Sequence, residues 1–146
     1  MDAVPCAWGV LCSLFLMIPT GLHAQKELPA IVRRGIEAIG SGRADSAFML
    51  WSNSVAFGPE ERSQVISSIP MFNQMCTLPQ GYDLLRSIVV SPHIERVYFA
   101  VRCESRPVFF MLAVYQSATD WLVTAVTWNT DPDRILPAAF YGAQRP

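Results

Sequence analysis

The chain has 146 residues, of which 51% are hydrophobic and 16% are charged, and its formal net charge is −1 at pH 7. A nearly neutral chain has no general electrostatic attraction for nucleic acid or anionic lipid, so the composition argues against a nucleic-acid-binding role. The length suits one domain of ordinary size with a substantial buried core.

The first 24 residues have the layout of an export signal. An almost unbroken apolar run extends from Ala3 to Leu22, and the sequence becomes polar after Ala24. No Lys or Arg precedes the run, however, and the run approaches membrane-spanning length, about 20 residues. We predict a signal peptide over residues 1–24 and export to the periplasm or the medium. An uncleaved anchor, which would be the only membrane contact, and a buried core helix are the alternatives.

Residues 25–146 are expected to form a single domain. Loss of residues 1–24 removes Asp2 and no basic residue, so the formal charge of the remainder is zero. The cysteines that remain are Cys76 and Cys103, in an oxidising compartment if the protein is exported. Their even number favours one disulfide, and the alternative is two separate buried thiols.

Apolar residues at three- and four-residue steps predict three helices in the first half of this domain. The first apolar stripe covers residues 28–39. The second helix presents one apolar face, made of Phe48, Trp51 and Val55. The third begins at Pro59, and Pro70 is expected to end or kink it.

The second half changes to β-rich runs separated by turn residues, which predicts four strands. They cover about residues 82–90, 95–104, 108–116 and 121–129. Short turns between them imply antiparallel pairing in chain order. The predicted fold is therefore α+β, with three N-terminal helices packed on a curved four-stranded antiparallel sheet.

Pairing of the second and third strands predicts the two faces of the sheet. If Glu104 opposes Pro107, the inward face is wholly apolar. It consists of Val97, Phe99, Val101, Cys103, Val108, Phe110, Leu112 and Val114. The outer face is also rich in apolar residues, so we expect the C-terminal tail or a second copy to cover it, and we predict a homodimer through this face.

The fourth strand has two almost equally apolar faces, and one bulge would exchange them, so its inward face stays open. The predicted turn at residues 91–94 places Cys103 near the start of the first strand. Cys76 shortly precedes that start, which makes a Cys76–Cys103 disulfide feasible.

Short segments of the second half carry a resemblance to a known superfamily. They are Tyr98-Phe99, Arg106-Pro107-Val108-Phe109-Phe110, Tyr115, Asp120-Trp121 and Trp128-Asn129-Thr130-Asp131-Pro132. With the helix-then-sheet order, residues 28–136 resemble small exported bacterial proteins of the nuclear transport factor 2-like superfamily. The resemblance implies a curved sheet wrapped around a helix, a pocket between them and frequent dimers. Its members include isomerases, dehydratases and binding modules, so the fold alone assigns no function.

Enzymes of that superfamily typically place an Asp, His or Tyr inside the cone, and the inward positions predicted here offer no titratable side chain except Cys103. The acidic residues fall at predicted strand ends and turns: Asp83, Glu95, Glu104, Asp120, Asp131 and Asp133. We expect them to be solvated or to cap turns, and His93 to be exposed in its turn. No motif indicates a metal, a cofactor or a catalytic serine.

Large aromatic residues could line a pocket for a small apolar ligand. The candidate ligand-binding residues are Trp51, Phe99, Phe110, Trp121 and Trp128. The alternative interpretation is that these rings only fill the core.

The leading hypothesis is an exported non-catalytic module that binds a protein partner or a small apolar ligand. One alternative is a small isomerase or hydratase that uses Tyr82, Asp83 or Tyr98 at the mouth of a pocket. A third is a structural dimeric accessory protein of the cell envelope.

Overall fold

The computed structural model describes residues 27–144, so the predicted signal peptide over residues 1–24 lies outside the described residues. The helices are α1 (Ala30–Gly40), α2 (Ala44–Ser52), α3 (Pro59–Ser67) and α4 (Ile69–Met75). The strands are β1 (Pro79–Ser91), β2 (Ile94–Cys103), β3 (Val108–Gln116) and β4 (Trp121–Asn129). Two 3-10 helices follow, Pro132–Arg134 and Ala138–Gln144. The predicted α+β fold is confirmed: the helices pack on one face of an antiparallel sheet of order β1-β2-β3-β4.

The third predicted helix is divided into α3 and α4 at Ser68. Pro70 lies in the first turn of α4, where its missing N–H costs nothing, whereas in a continuous helix its ring would clash with the carbonyl of Ile66. The predicted effect of Pro70 is therefore confirmed.

At the start of α3, the N–H of Gly58 donates to the Glu61 carboxylate at 2.7 Å, which satisfies a donor at the helix terminus.

The apolar face predicted for α2 is wrong at one residue. Phe48 and Trp51 are fully buried, but Val55 is 81% exposed. The helix ends at Ser52, and the N–H of Ser54 bonds the Trp51 carbonyl in a tight turn. Helical spacing therefore no longer applies at Val55, and Phe57 is buried beyond the turn instead.

The predicted pairing of β2 with β3 is wrong by two residues. The observed partners are Val101 with Val108, Phe99 with Phe110 and Val97 with Leu112. The ladder stops before Pro107, which has no N–H to donate. Because side chains alternate with period two, the shift keeps the predicted residues on the inward face. It also places Glu95 opposite Val114 on that face.

A bulge at Thr124 decides which residues of β4 face inward. Ala113 pairs with Ala125 and Val114 pairs with Val123, so Thr124 is the extra residue. Its hydroxyl donates to the Ala113 carbonyl at 3.2 Å. The bulge changes the alternation, so that Trp121 and Val123 face inward before it and Val126 and Trp128 face inward after it.

The C-terminal tail covers part of the outer face. The ring of Phe140 packs edge-on against Tyr98, with 4.9 Å between ring centroids, and the guanidinium of Arg86 lies 4.6 Å from the centroid of the same ring. Tyr98 and Ala100 are buried as a result. The tail is thus one of the two covers expected for this face, while the homodimer stays a prediction.

Cys76 and Cys103 lie at disulfide distance, with 5.2 Å between their Cα atoms, as the sequence predicts. Cys76 directly follows α4, and Cys103 ends β2 opposite Pro79 of β1. The pair therefore connects the helical layer with the sheet. None of the helices described between residues 27 and 144 is both long and apolar enough to cross a membrane.

Candidate functional site

Three of the five candidate ligand-binding aromatics lie in the sealed core. Trp51, Phe99 and Phe110 are fully buried, and the rings of Phe99 and Phe110 stack with centroids 4.7 Å apart. The indole N–H of Trp51 donates to the Ile31 carbonyl at 3.3 Å. Phe48 and Phe72 contact the same cluster. These rings fill the space between the helices and the sheet.

The other two candidates lie at the edges of separate surface depressions. Trp128 contacts Phe72 edge-on, and its indole N–H donates to the hydroxyl of Ser68 at 3.4 Å. It lines a depression of about 380 Å³ between α3 and β4. Trp121 lines another of about 490 Å³ between the start of β4 and the first two helices. The five aromatics therefore do not surround one common cavity.

A different groove, here called the β1 groove, lies between Glu27 and Leu28 on one side and β1 on the other. Its volume is about 500 Å³, and it is lined by Glu27, Leu28, Leu84, Leu85, Arg86, Ser87 and Val89. The C-terminal end of helix α1 lies close to β1, since a side chain added at Gly40 would meet the ring of Tyr82.

Large apolar side chains are exposed in the β1 groove. Leu84 is 41% exposed, Leu85 is 39% exposed and Val89 is 54% exposed. Irregular pairing between Leu84 and Arg86 places Leu85 as an extra residue in the strand, which brings two successive leucines to the groove wall. Such a concentration of exposed apolar side chains typically marks a binding surface.

A buried carboxylate lies directly behind this groove. Glu95 is 1% exposed, and its Oε1 accepts a hydrogen bond from the hydroxyl of Ser87, which lines the groove. The expectation that Glu95 is a solvated acid at a strand end is therefore wrong. So is the expectation that the inward face carries no titratable group besides Cys103. The signal was in the sequence, since Glu95 continues the alternation of Val97 and Phe99 by one more step.

The residues proposed for an enzymatic pocket mouth do not converge. Tyr82 faces inward beside Gly40, whereas Asp83 faces outward and lies 3.8 Å from the guanidinium of Arg102. Tyr98 lies on the outer face beneath Phe140. The sheet thus separates Tyr82 from the other two side chains.

The remaining polar candidates occupy turns. His93 is exposed in the turn between β1 and β2, and Asp131 accepts from the N–H of Asp133 at 3.0 Å as the cap of the first 3-10 helix. Over the part of the chain that the structure covers, His, Cys, Asp and Glu side chains form no group of three that could hold a metal ion. The β1 groove and its Ser87–Glu95 pair are consequently the candidate site.

Comparison of the chain with protein-family models, with curated proteins and with solved structures finds no match in any of the three.

Proposed function

We propose that this protein is an exported, non-catalytic binding module of the nuclear transport factor 2-like superfamily that holds a small apolar ligand in the β1 groove. The observation that carries the proposal is the gathering of Leu84, Leu85 and Val89, all exposed, on one wall of a groove of about 500 Å³. Ligand pockets commonly have this size and an apolar lining with few polar groups. The apolar N-terminal segment supports export.

The location of the candidate aromatics also favours the groove over the interior of the cone. Trp51, Phe99 and Phe110 pack against one another, and their rings occupy the volume that an internal ligand would need. A ligand in the β1 groove would contact aliphatic side chains of Leu84, Leu85 and Val89. Burial of those side chains would stabilise the complex by roughly 25 cal/mol per Å² of apolar surface removed from water.

The neutral fluorophore N-phenyl-1-naphthylamine tests this site. We expect saturable fluorescence enhancement with the wild-type protein and none with Leu84→Asp, because a carboxylate in the groove wall would have to lose its hydration. Met75→Asp is the matched control, since Met75 on α4 lies outside the groove and is 43% exposed, close to the 41% of Leu84. Equal binding by Leu84→Asp and wild type would refute the site, and so would absence of saturable binding.

Native mass spectrometry of protein purified from its host then identifies the natural occupant. A bound small molecule that is lost in Leu84→Asp supports the proposal. A copurifying polypeptide lost in the same variant would replace the small ligand by a protein partner.

A small isomerase or hydratase is the second candidate function, and Glu95 is the observation that favours it. A buried carboxylate beside a groove could act as a general acid or base. An enzyme would carry product in the wild type and accumulate substrate in Glu95→Gln. The binding module would carry the same molecule in both proteins, so mass spectrometry of the extracted ligands separates the two functions.

A further inference from the structure

We infer that the depression between α3 and β4 is a second binding site, which takes quaternary ammonium ligands, and that Trp128 and Glu61 bind them. The depression has a volume of about 380 Å³, and none of the described residues that line it also lines the β1 groove. Binding there is therefore independent of the ligand proposed for the β1 groove.

The indole ring of Trp128 presents one face to this depression. Its other face is turned towards Phe110, the cross-strand neighbour on β3, with 6.3 Å between the ring centroids and 30° between the ring planes. Because β4 is the last strand of the sheet, no described strand lies on the opposite side of Trp128. Trp128 is only partly buried and lines the depression, so the face away from Phe110 is the exposed one.

The chemistry that this ring offers to a ligand is that of its π system. The indole N–H already donates to the hydroxyl of Ser68 at 3.4 Å, and the side chain has no other hydrogen-bonding group. Phe72 contacts the ring at 88° to its plane, which helps to fix it. The exposed face carries the negative part of the ring quadrupole, which attracts a cation.

A carboxylate in the same depression complements a cationic ligand. Glu61 is exposed in the first turn of α3, and the N–H of Gly58 donates to its Oε2 at 2.7 Å, which restrains the carboxylate. A carboxylate has about four acceptor positions on its two oxygens, so this bond leaves the greater part of them to a ligand.

Glu61 is the only ionisable side chain among the described residues that line the depression. Arg62, its neighbour in α3, donates its Nε–H to the Ser52 carbonyl at 3.0 Å and so extends towards α2. The charge of Glu61 therefore attracts cations to the depression and repels anions.

The rest of the lining favours a methylated ammonium group over a metal ion. Val65, Ala125 and Val126 line the depression together with the indole, and their aliphatic groups suit the methyl groups of such a ligand. Calcium requires about six to eight oxygen ligands, which one carboxylate does not supply. Aromatic faces are the usual recognition element for quaternary ammonium groups.

Choline and its neutral isostere 3,3-dimethyl-1-butanol test the inference, because carbon replaces the charged nitrogen in the isostere. NMR titration follows the indole N–H signal of Trp128, which is identified by its loss in Trp128→Phe. We expect choline to shift this signal saturably and to bind about fivefold more tightly than the isostere, the effect of one cation–π contact. Equal binding of the two compounds, or no saturable shift with choline, would overturn the inference.

Glu61→Gln tests the role of the carboxylate. The amide keeps an acceptor for the Gly58 N–H but removes the charge, so choline binding should weaken about threefold, as for an exposed ion pair, while the isostere binds as before. Glu60→Gln is the matched control, since Glu60 is exposed in the same turn, lies outside the lining and changes the net charge equally. If both variants weaken choline binding equally, the net charge and not this site attracts the cation.

Trp128→Leu, verified as folded by circular dichroism, should abolish the preference for choline over the isostere in calorimetric titrations. A folded Trp128→Leu that keeps the preference would exclude the indole as the binding face. N-phenyl-1-naphthylamine should bind these variants as tightly as the wild type, so its failure to bind the wild type would reject the proposed function alone.

Phosphatidylcholine vesicles distinguish the two sources of such a head group. Sedimentation of the wild type with the vesicles, lost in Trp128→Leu, supports the site with a lipid as its ligand. Choline binding without sedimentation supports the site with a free small cation.

Discussion

At the scale of single residues, Gly35 shows how closely α1 approaches the aromatic cluster. A Cβ atom at this position would overlap the indole of Trp51 at its nitrogen and adjacent ring carbons. Trp51 in turn is held by its hydrogen bond to Ile31, so the indole cannot easily move away. Glycine is required here by the close approach of a ring, although it lies in a helix where it lowers stability by about 1 kcal/mol relative to alanine.

We therefore expect Gly35→Ala to lower the free energy of unfolding by about 1–3 kcal/mol, the usual effect of overpacking a core. Urea denaturation followed by circular dichroism measures this change. Glu37→Ala, an exposed substitution on the same helix, is the control and should change stability by less than about 0.5 kcal/mol. A Gly35→Ala protein more stable than wild type would contradict the observed position of Trp51.

The sequence predicts the burial of a residue correctly where hydrophobic periodicity determines it. It does not predict which residues contact one another across neighbouring strands. The core positions of Trp51 and Phe110 follow from their spacing. Glu95 is misplaced by the rule that an acid near a turn is usually solvated, although the alternation that turns Val97 and Phe99 inward extends to Glu95, which lies opposite Val114. The Ser87–Glu95 contact joins β1 and β2, and the sequence pattern of neither strand predicts it.

At the scale of elements, the last three strands could be predicted to within one residue because turn residues separate them, whereas β1 begins at Pro79, three residues before its predicted start. The register of β2 with β3 could not be predicted, since it depends on where the ladder stops rather than on the alternation. Likewise the break between α3 and α4 follows from Pro70. The end of α2 before Val55 is signalled only by Asn53 and Ser54, which favour turns less strongly than the Gly58-Pro59 pair at which the sequence places the break. The β1 groove lies between β1 and residues 27 and 28, which are far from β1 in the chain, so it is a tertiary property that no local pattern predicts.

Cys76 and Cys103 lie at disulfide distance, and a bond between them would link these elements covalently. It would close a loop with a sequence separation of 27 residues that includes all of β1. We expect the double variant Cys76→Ala/Cys103→Ala to lose about 2–4 kcal/mol of stability, because the unfolded chain gains freedom when the loop is opened. Thermal unfolding with and without dithiothreitol measures the loss.

The reductant provides the internal control for this prediction. Dithiothreitol should lower the Tm of the wild type towards that of the double variant and should leave the Tm of the variant unchanged. A wild-type Tm that does not respond to complete reduction, verified by thiol counting, would show that the link contributes nothing to stability.

At the scale of the whole molecule, both faces of the sheet carry apolar side chains, and other parts of the chain cover the two faces to different extents. The inward face is covered by the helices, and the tail covers the outer face around Tyr98 through Phe140. Towards β4 the cover is less complete, since Thr127 is exposed and its neighbour Met111 is only partly buried. The sequence left the tail and a second copy as alternatives because neither leaves a periodic signal.

The homodimer predicted from the outer face can therefore be tested at its exposed part. If two copies associate there, light scattering gives twice the mass of one chain, and Thr127→Arg gives the mass of a monomer because two added guanidinium groups would meet across the two-fold axis. Ser63→Arg, on the exposed surface of α3, should leave the dimer intact. A wild-type monomer at high protein concentration would rule out the dimer, and a dimer that persists in Thr127→Arg would place the interface elsewhere. Since the β1 groove lies on the inner side of the sheet, the Thr127→Arg monomer should still bind N-phenyl-1-naphthylamine as tightly as the wild type.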